Sequence, residues 1–285
     1  MMIVITGASG QLGRLVVDEL LKSVPASELV AAVRSPEKAE DLAKMGVEVR
    51  QADYNRPDTL DAAFSGADKV LLISSSEVGQ RAPQHANVIA AAKKAGVGLL
   101  AYTSILHADA TPLALGAEHK QTEAMLAESG VPYVVLRNGW YTENYAAGIP
   151  VALQHGAVFG CAGKGRICSA ARADYAAAAA AVLIADDQAG KVYELAGDDA
   201  YTLAEFAAEV AGQAGKAVVY QDMPEAEYAN VLKGAGFPDG MAQLLAQSDT
   251  GASKGGLYDD SKTLSRLIGR PTTPLSEVVK QTLAT

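Results

Sequence analysis

Val4-Ile5-Thr6-Gly7-Ala8-Ser9-Gly10-Gln11-Leu12-Gly13 decides how this chain is read. The apolar run from Met2 to Ile5 has the composition of a strand buried on both faces. Beyond the glycines, Leu12, Leu15, Val16 and Leu20 recur at helical spacing and predict a helix to about Ser23. Strand, glycine turn and helix in this order form a dinucleotide-binding fingerprint. Gly7 permits the sharp turn out of the strand. Gly10, with no Cβ, lets backbone N–H groups approach a pyrophosphate. Gly13 lets the helix pack closely on the strand. The unpaired N–H groups of the helix start then face the phosphates with partial positive charge.

The same alternation continues outward. Apolar strands are expected at Leu29–Val33, Val47–Ala52, Val70–Ile73 and Leu99–Thr103. Helices are expected between them at Pro36–Met45, Pro57–Phe64 and Ala86–Lys94, stopped in turn by Gly46, Gly66 and Gly96. Such alternation predicts an α/β fold with a doubly wound parallel sheet. A helix from Glu118 to Ser129 and a sixth strand from Tyr133 to Arg137 follow. Residues 140–170 are rich in Gly and Pro, with no long helix. Asp174 is read as the cap of an Ala-rich helix, and Val192–Leu195 as another strand. The expected domains are residues 1–150, binding the cofactor, and residues 151–285, a smaller part covering the ligand crevice. The strand at 192–195 is expected to return to the first.

Composition narrows the function. The chain has 285 residues, 49% hydrophobic and 20% charged, with a formal net charge of −9. It shows no basic cluster of the kind that reads nucleic acid. Its two cysteines, Cys161 and Cys168, make no disulfide scaffold, and its four histidines suggest no metal site. No secretory leader and no membrane span are read, so a cytoplasmic protein is expected.

Ligands of open parallel sheets lie outside the carboxyl ends of the strands, so the residues there carry the chemistry. Arg34 ends the second strand. An acid there would bond a ribose 2′-hydroxyl, whereas arginine pairs with a 2′-phosphate and favours NADP. Asp53 either accepts from the adenine amino group or caps the next turn. Ser74, Ser75 and Ser76 can lie along a ribose. Asn138-Gly139-Trp140-Tyr141 follows the sixth strand, with Asn144 and Tyr145 close behind. Flat aromatics suit a flat acceptor stacked on a nicotinamide; an ordinary hydrophobic plug is the alternative. Arg172 precedes the Ala-rich helix and is a further cofactor candidate. His119 and Tyr141 are the candidate catalytic residues, since imidazole can relay a proton near neutral pH.

Together these stretches resemble the NmrA-like atypical short-chain dehydrogenases over almost the whole chain. The resemblance is carried by Thr6–Gly13, Leu72–Arg81, Tyr102–Ser104, Leu136–Tyr141, Ala171–Tyr175 and Gly251–Leu257. Ordinary short-chain dehydrogenases place Tyr one helical turn before Lys; here His119 and Glu123 stand instead, which argues against alcohol oxidation. The resemblance implies a Rossmann-like fold and NADPH held by three regions. These are Gly7, Ala8, Ser9, Gly10, Gln11, Leu12 and Gly13; Arg34; and the loops after strands four and six, including Asn138, Gly139, Trp140, Tyr141, Thr142 and Glu143. It implies direct two-electron reduction of a quinone, with neither flavin nor metal, the substrate resting on Trp140, Tyr141, Asn144 and Tyr145. The alternative is a catalytically silent redox sensor that binds NADP(H) and acts on a protein partner. A homodimer is a further expectation.

Overall fold

The computed structural model describes residues 1–284. From the amino terminus the order is β1 (Ile3–Thr6), α1 (Gln11–Leu20), β2 (Leu29–Val33), α2 (Glu40–Lys44), β3 (Glu48–Gln51), α3 (Pro57–Ala63), β4 (Lys69–Leu72), α4 (Arg81–Ala95), β5 (Leu99–Ile105), α5 (Gly116–Ser129) and β6 (Tyr133–Asn138). These are followed by α6 (Thr142–Ala146), α7 (Ile149–His155), β7 (Ala157–Gly160), α8 (Arg172–Ile184), β8 (Val192–Leu195), α9 (Leu203–Ala214), β9 (Val219–Asp222), α10 (Glu225–Gly234), α11 (Asp239–Ser253), α12 (Thr263–Ile268) and α13 (Leu275–Leu283).

Seven strands form one sheet in the order β3-β2-β1-β4-β5-β6-β8, and the pairs from β3 through β6 are parallel. Every residue of β1, β2 and β5 is buried, because helices cover both faces. This is the Rossmann-like α/β fold. The order reverses between β1 and β4, and that switch point is where open sheets place their ligands.

The chain packs as two units that alternate along the sequence. Unit 1 comprises Met1–Ile105, Ala117–Asn138 and Arg172–Tyr193; unit 2 comprises Leu106–Gly116, Gly139–Ala171 and Glu194–Thr285. The sequence predicts a boundary near residue 150, with the strand at 192–195 returning to the first part. In unit 1, α1 buries Leu12, Val16, Val17 and Leu20 and packs on the Ala-rich α8, whose small side chains let the two helices approach. Unit 2 carries β7 and β9, a parallel two-stranded sheet, with the remaining helices. The Gly251–Leu257 stretch has a packing role there: a Cβ on Gly251 would lie 2.4 Å from Leu113 Cδ2, and one on Gly256 2.8 Å from Pro112 Cγ.

Residues 140–170 hold two short helices and a strand, and no long helix, as expected. Two local expectations are corrected. Asp174 does not cap α8; the helix already begins at Arg172, and Asp174 sits buried in its first turn. More consequentially, α4 starts at Arg81, not Ala86. Pro83 is its third residue, where the missing N–H would have had no helical partner.

Candidate functional site

The carboxyl ends of β1 to β4 surround a cavity of about 400 Å³ in unit 1. Gly7 turns out of β1 at φ +61°, a left-handed conformation that side chains disfavour. A Cβ on Gly13 would stand 2.3 Å from Gly7 O and 2.7 Å from Ala8 Cα, both backbone atoms that cannot yield. Gly10 is the N-cap of α1, so the unpaired amides of the first helical turn open on the glycine turn. Gly7, Ser9, Gly10, Gln11, Leu12 and Gly13 line the cavity, while Ala8 is buried beneath it.

A hydrogen-bonded seam closes the floor. Thr6 Oγ1 donates to Leu71 O at 2.9 Å and accepts from Ile73 N at 3.1 Å. It also meets Tyr54 Oη, which donates to Ile73 O at 2.8 Å. Burial holds the Tyr54 phenol well above its ordinary pKa, so it stays a donor.

Arg34, Ser35 and Lys38 form one wall. The Arg34 side chain is 68% exposed, and its Nη1 donates to Glu77 Oε1 at 2.8 Å. Glu77 Oε2 accepts from Gln84 Nε2 at 2.8 Å. Asp53 also lines the cavity, and its Oδ1 caps the local turn by accepting from Asn55 N at 2.9 Å. The turn-capping alternative for Asp53 is therefore observed. Ser74, Ser75 and Ser76 supply the fourth side. Ser74 N donates to Thr103 Oγ1 at 2.9 Å, Ser75 N to His85 Nε2 at 3.0 Å, and Arg81 Nε to Ser75 O at 2.7 Å.

The cavity fits an adenine dinucleotide. Its walls offer amides for phosphates and two cations beside Ser35 for a further phosphate. Gln84 Oε1, buried in the wall, has no hydrogen-bond partner among the described residues, and such an acceptor suits an exocyclic amino group. Gln84, Lys38 and the pair Arg81 and His85 were not read from the sequence.

The remaining candidates stand elsewhere. His119 is 5% exposed; its Nδ1 lies 2.8 Å from Tyr102 Oη and its Nε2 3.3 Å from Arg81 Nη1. Burial first, then the charges of Arg81 and His85, push it down to about 3. It is a neutral imidazole at physiological pH, with both ring nitrogens engaged within the protein. Glu123 does not pair with it but holds Arg137 (2.7 Å) and Ser104 (2.6 Å). Arg172 opens α8, and Asn138 ends β6.

Gly139 to Tyr145 belong to unit 2. There Tyr141 bridges to Ala170, and Thr142 Oγ1 lies 2.8 Å from Ser169 Oγ. The Tyr145 ring packs 6.4 Å from Trp140 and 6.1 Å from Phe206, and its hydroxyl donates to Asp249 Oδ1 at 3.2 Å. Asn144 and Glu143 lie on α6. Among the described residues no cluster could hold a metal ion, and no helix is long and apolar enough to cross a membrane.

Comparison with known proteins follows the same lines. A family model described as NAD(P)H-binding matches residues 7–186. Quinone oxidoreductase 2 of Escherichia coli K12 is 62% identical over 278 residues, covering 98% of this chain and 97% of that protein. The crystal structure of an NADPH-dependent quinone oxidoreductase from E. coli, complexed with NADPH, matches with a TM-score of 0.97 at 61% identity, covering 99% of this chain and 100% of that one. Triphenylmethane reductase of Citrobacter sp., complexed with NADP(H), matches with a TM-score of 0.95 at 41% identity, covering 98% and 99% of the two chains.

Proposed function

The chain belongs to the NAD(P)H-binding family, and within it we propose that it is an oxidoreductase reducing quinones at the expense of NADPH. The observation that carries this is the near full-length identity to quinone oxidoreductase 2. NADPH, when bound, would supply a hydride for direct two-electron reduction of the quinone, a chemistry that calls for neither flavin nor metal. What the protein contributes is binding and orientation.

The amides of the glycine turn and of the α1 start hold the pyrophosphate. Arg34 and Lys38, with Ser35, take the 2′-phosphate, Arg34 exchanging Glu77 for the stronger anion. Gln84 and Asp53 face the adenine, and Ser74–Ser76 the ribose. Asn138 to Glu143 and Arg172 complete the nicotinamide half. Trp140, Tyr141, Asn144 and Tyr145 seat the quinone, and Tyr141 is the hydroxyl candidate for the reduced oxygen. The α5 helix places no Tyr–Lys pair there, so alcohol oxidation is not the reaction.

The test mixes purified protein, NADPH and a simple benzoquinone, subtracting the uncatalysed rate. Turnover with a flavin-free absorption spectrum supports the proposal. Cofactor binding without turnover would instead identify a silent sensor. Flavin in the preparation would overturn direct transfer.

A further inference from the structure

The segment Ser74–Arg81 carries family resemblance beyond its serines, and the geometry explains why. Arg81 and His85 lie one helical turn apart on the face of α4 that meets the serine loop. Their side chains take the two backbone groups of Ser75: Arg81 Nε donates to its carbonyl at 2.7 Å, and its N–H donates to His85 Nε2 at 3.0 Å. Arg81 is 8% exposed and His85 fully buried.

The imidazole is itself held in one tautomer. Since Nε2 accepts, Nδ1 carries the proton and donates to Thr122 Oγ1 at 2.8 Å, which donates onward to Glu118 O at 3.0 Å. The Tyr54 and Tyr102 rings meet it edge-on at 6.3 and 5.5 Å. Arg81 reaches α5 as well, at His119 Nε2 (3.3 Å) and Glu118 (3.9 Å). Two helices thus fix the main chain of a loop that lines the cavity.

Resting on the reading that this cavity holds NADPH, we propose that Arg81 and His85 are positioning residues for the cofactor, acting through the peptide groups of Ser75. With Ser74 N, Ser75 N and Ser75 O all bonded on the protein side, only one face of the loop is presented to the ligand. Releasing the clamp lets that face turn. The loop carries no group that recognises the 2′-phosphate, so the loss is shared by NADPH and NADH. Arg34, by contrast, discriminates between them.

The experiment compares wild type with His85→Leu and His85→Gln. Amide exchange of Ser75 is followed in cofactor-free protein, and NADPH and NADH are titrated by calorimetry. In His85→Leu, Ser75 exchange accelerates, and both dissociation constants rise about tenfold, which is about 1.4 kcal/mol. His85→Gln, which keeps an acceptor and a donor, restores most of both. Arg81→Lys, should His85→Leu fail to fold, carries the same expectation of equal loss. A variant with lowered thermal midpoint but unchanged dissociation constants would make the clamp purely structural and overturn the proposal. Wild type that takes up no cofactor would overturn the occupancy reading, and Ser75 exchange would still report whether the clamp exists.

Discussion

Unit 1 buries two imidazoles, His85 and His119. Burial, reinforced by the Arg81 charge, pushes His85 down to about 4 and His119 to about 3. In unit 2 the buried group is an acid. Burial pushes Asp249 up to about 6, although it accepts from Cys161 N at 3.1 Å and from Tyr145 Oη at 3.2 Å. Desolvation shifts each cluster toward its neutral form, but each holds something different. His85 uses its lone pair to fix a loop at the cavity, and His119 meets Arg81, which holds the same loop. The carboxyl fixes an aromatic ring at the end of the Trp140–Tyr145 segment. A binding scaffold and an anchored aromatic segment are thus built from opposite ends of the titration scale.

The sharpest way to break the comparison is Gly13→Val, which touches unit 1 alone. Its Cβ would meet backbone within 3 Å, costing on the order of 3 kcal/mol of stability and abolishing measurable NADPH binding in calorimetry. Arg34→Ala follows. It removes a charge-assisted contact and is expected to weaken NADPH by about tenfold to hundredfold while sparing NADH. Equal weakening of both cofactors would remove the 2′-phosphate role.

Titration sharpens the comparison further. A histidine whose folded pKa lies below its unfolded value loses stability as pH falls below about 6.5, because the unfolded chain binds protons that the fold refuses. An acid whose folded pKa is raised has the reverse dependence: between pH 4 and 6 its fold holds a proton the unfolded chain has released, and stability declines as pH rises. Around pH 5 the two histidines outweigh Asp249, giving a net gain of about 1.4 kcal/mol per pH unit on raising pH. Asp249→Asn should nearly double that slope in urea melts; an unchanged slope would deny the raised carboxyl. The smallest effect is Tyr145→Phe. It deletes one hydrogen bond to Asp249 and is expected to cost about 1 kcal/mol in the same melts, with NADPH affinity unmoved.

Much of unit 1 was legible because strands buried on both faces appear as unbroken apolar runs and glycine marks the helix ends. The start of α4 was not: the helix is expected from Ala86, past Pro83, although a proline third in a helix loses no bond. That hid Arg81, Gln84 and His85 together. Helical spacing correctly placed His119 and Glu123 on one face but could not show that Arg137, brought in by β6, takes Glu123. Asp249 lies in an ordinary polar stretch, Gln247-Ser248-Asp249-Thr250, and nothing local announces its burial. Nor does local pattern reveal that the chain alternates between units, since that depends on contacts distant in sequence.

That alternation has a consequence for synthesis. Unit 1 draws its last piece from Arg172–Tyr193, and α8 within it covers the face of α1 that follows the glycine turn. A growing chain therefore cannot finish its nucleotide-binding half until residue 193 has left the ribosome, well after the fingerprint itself has emerged.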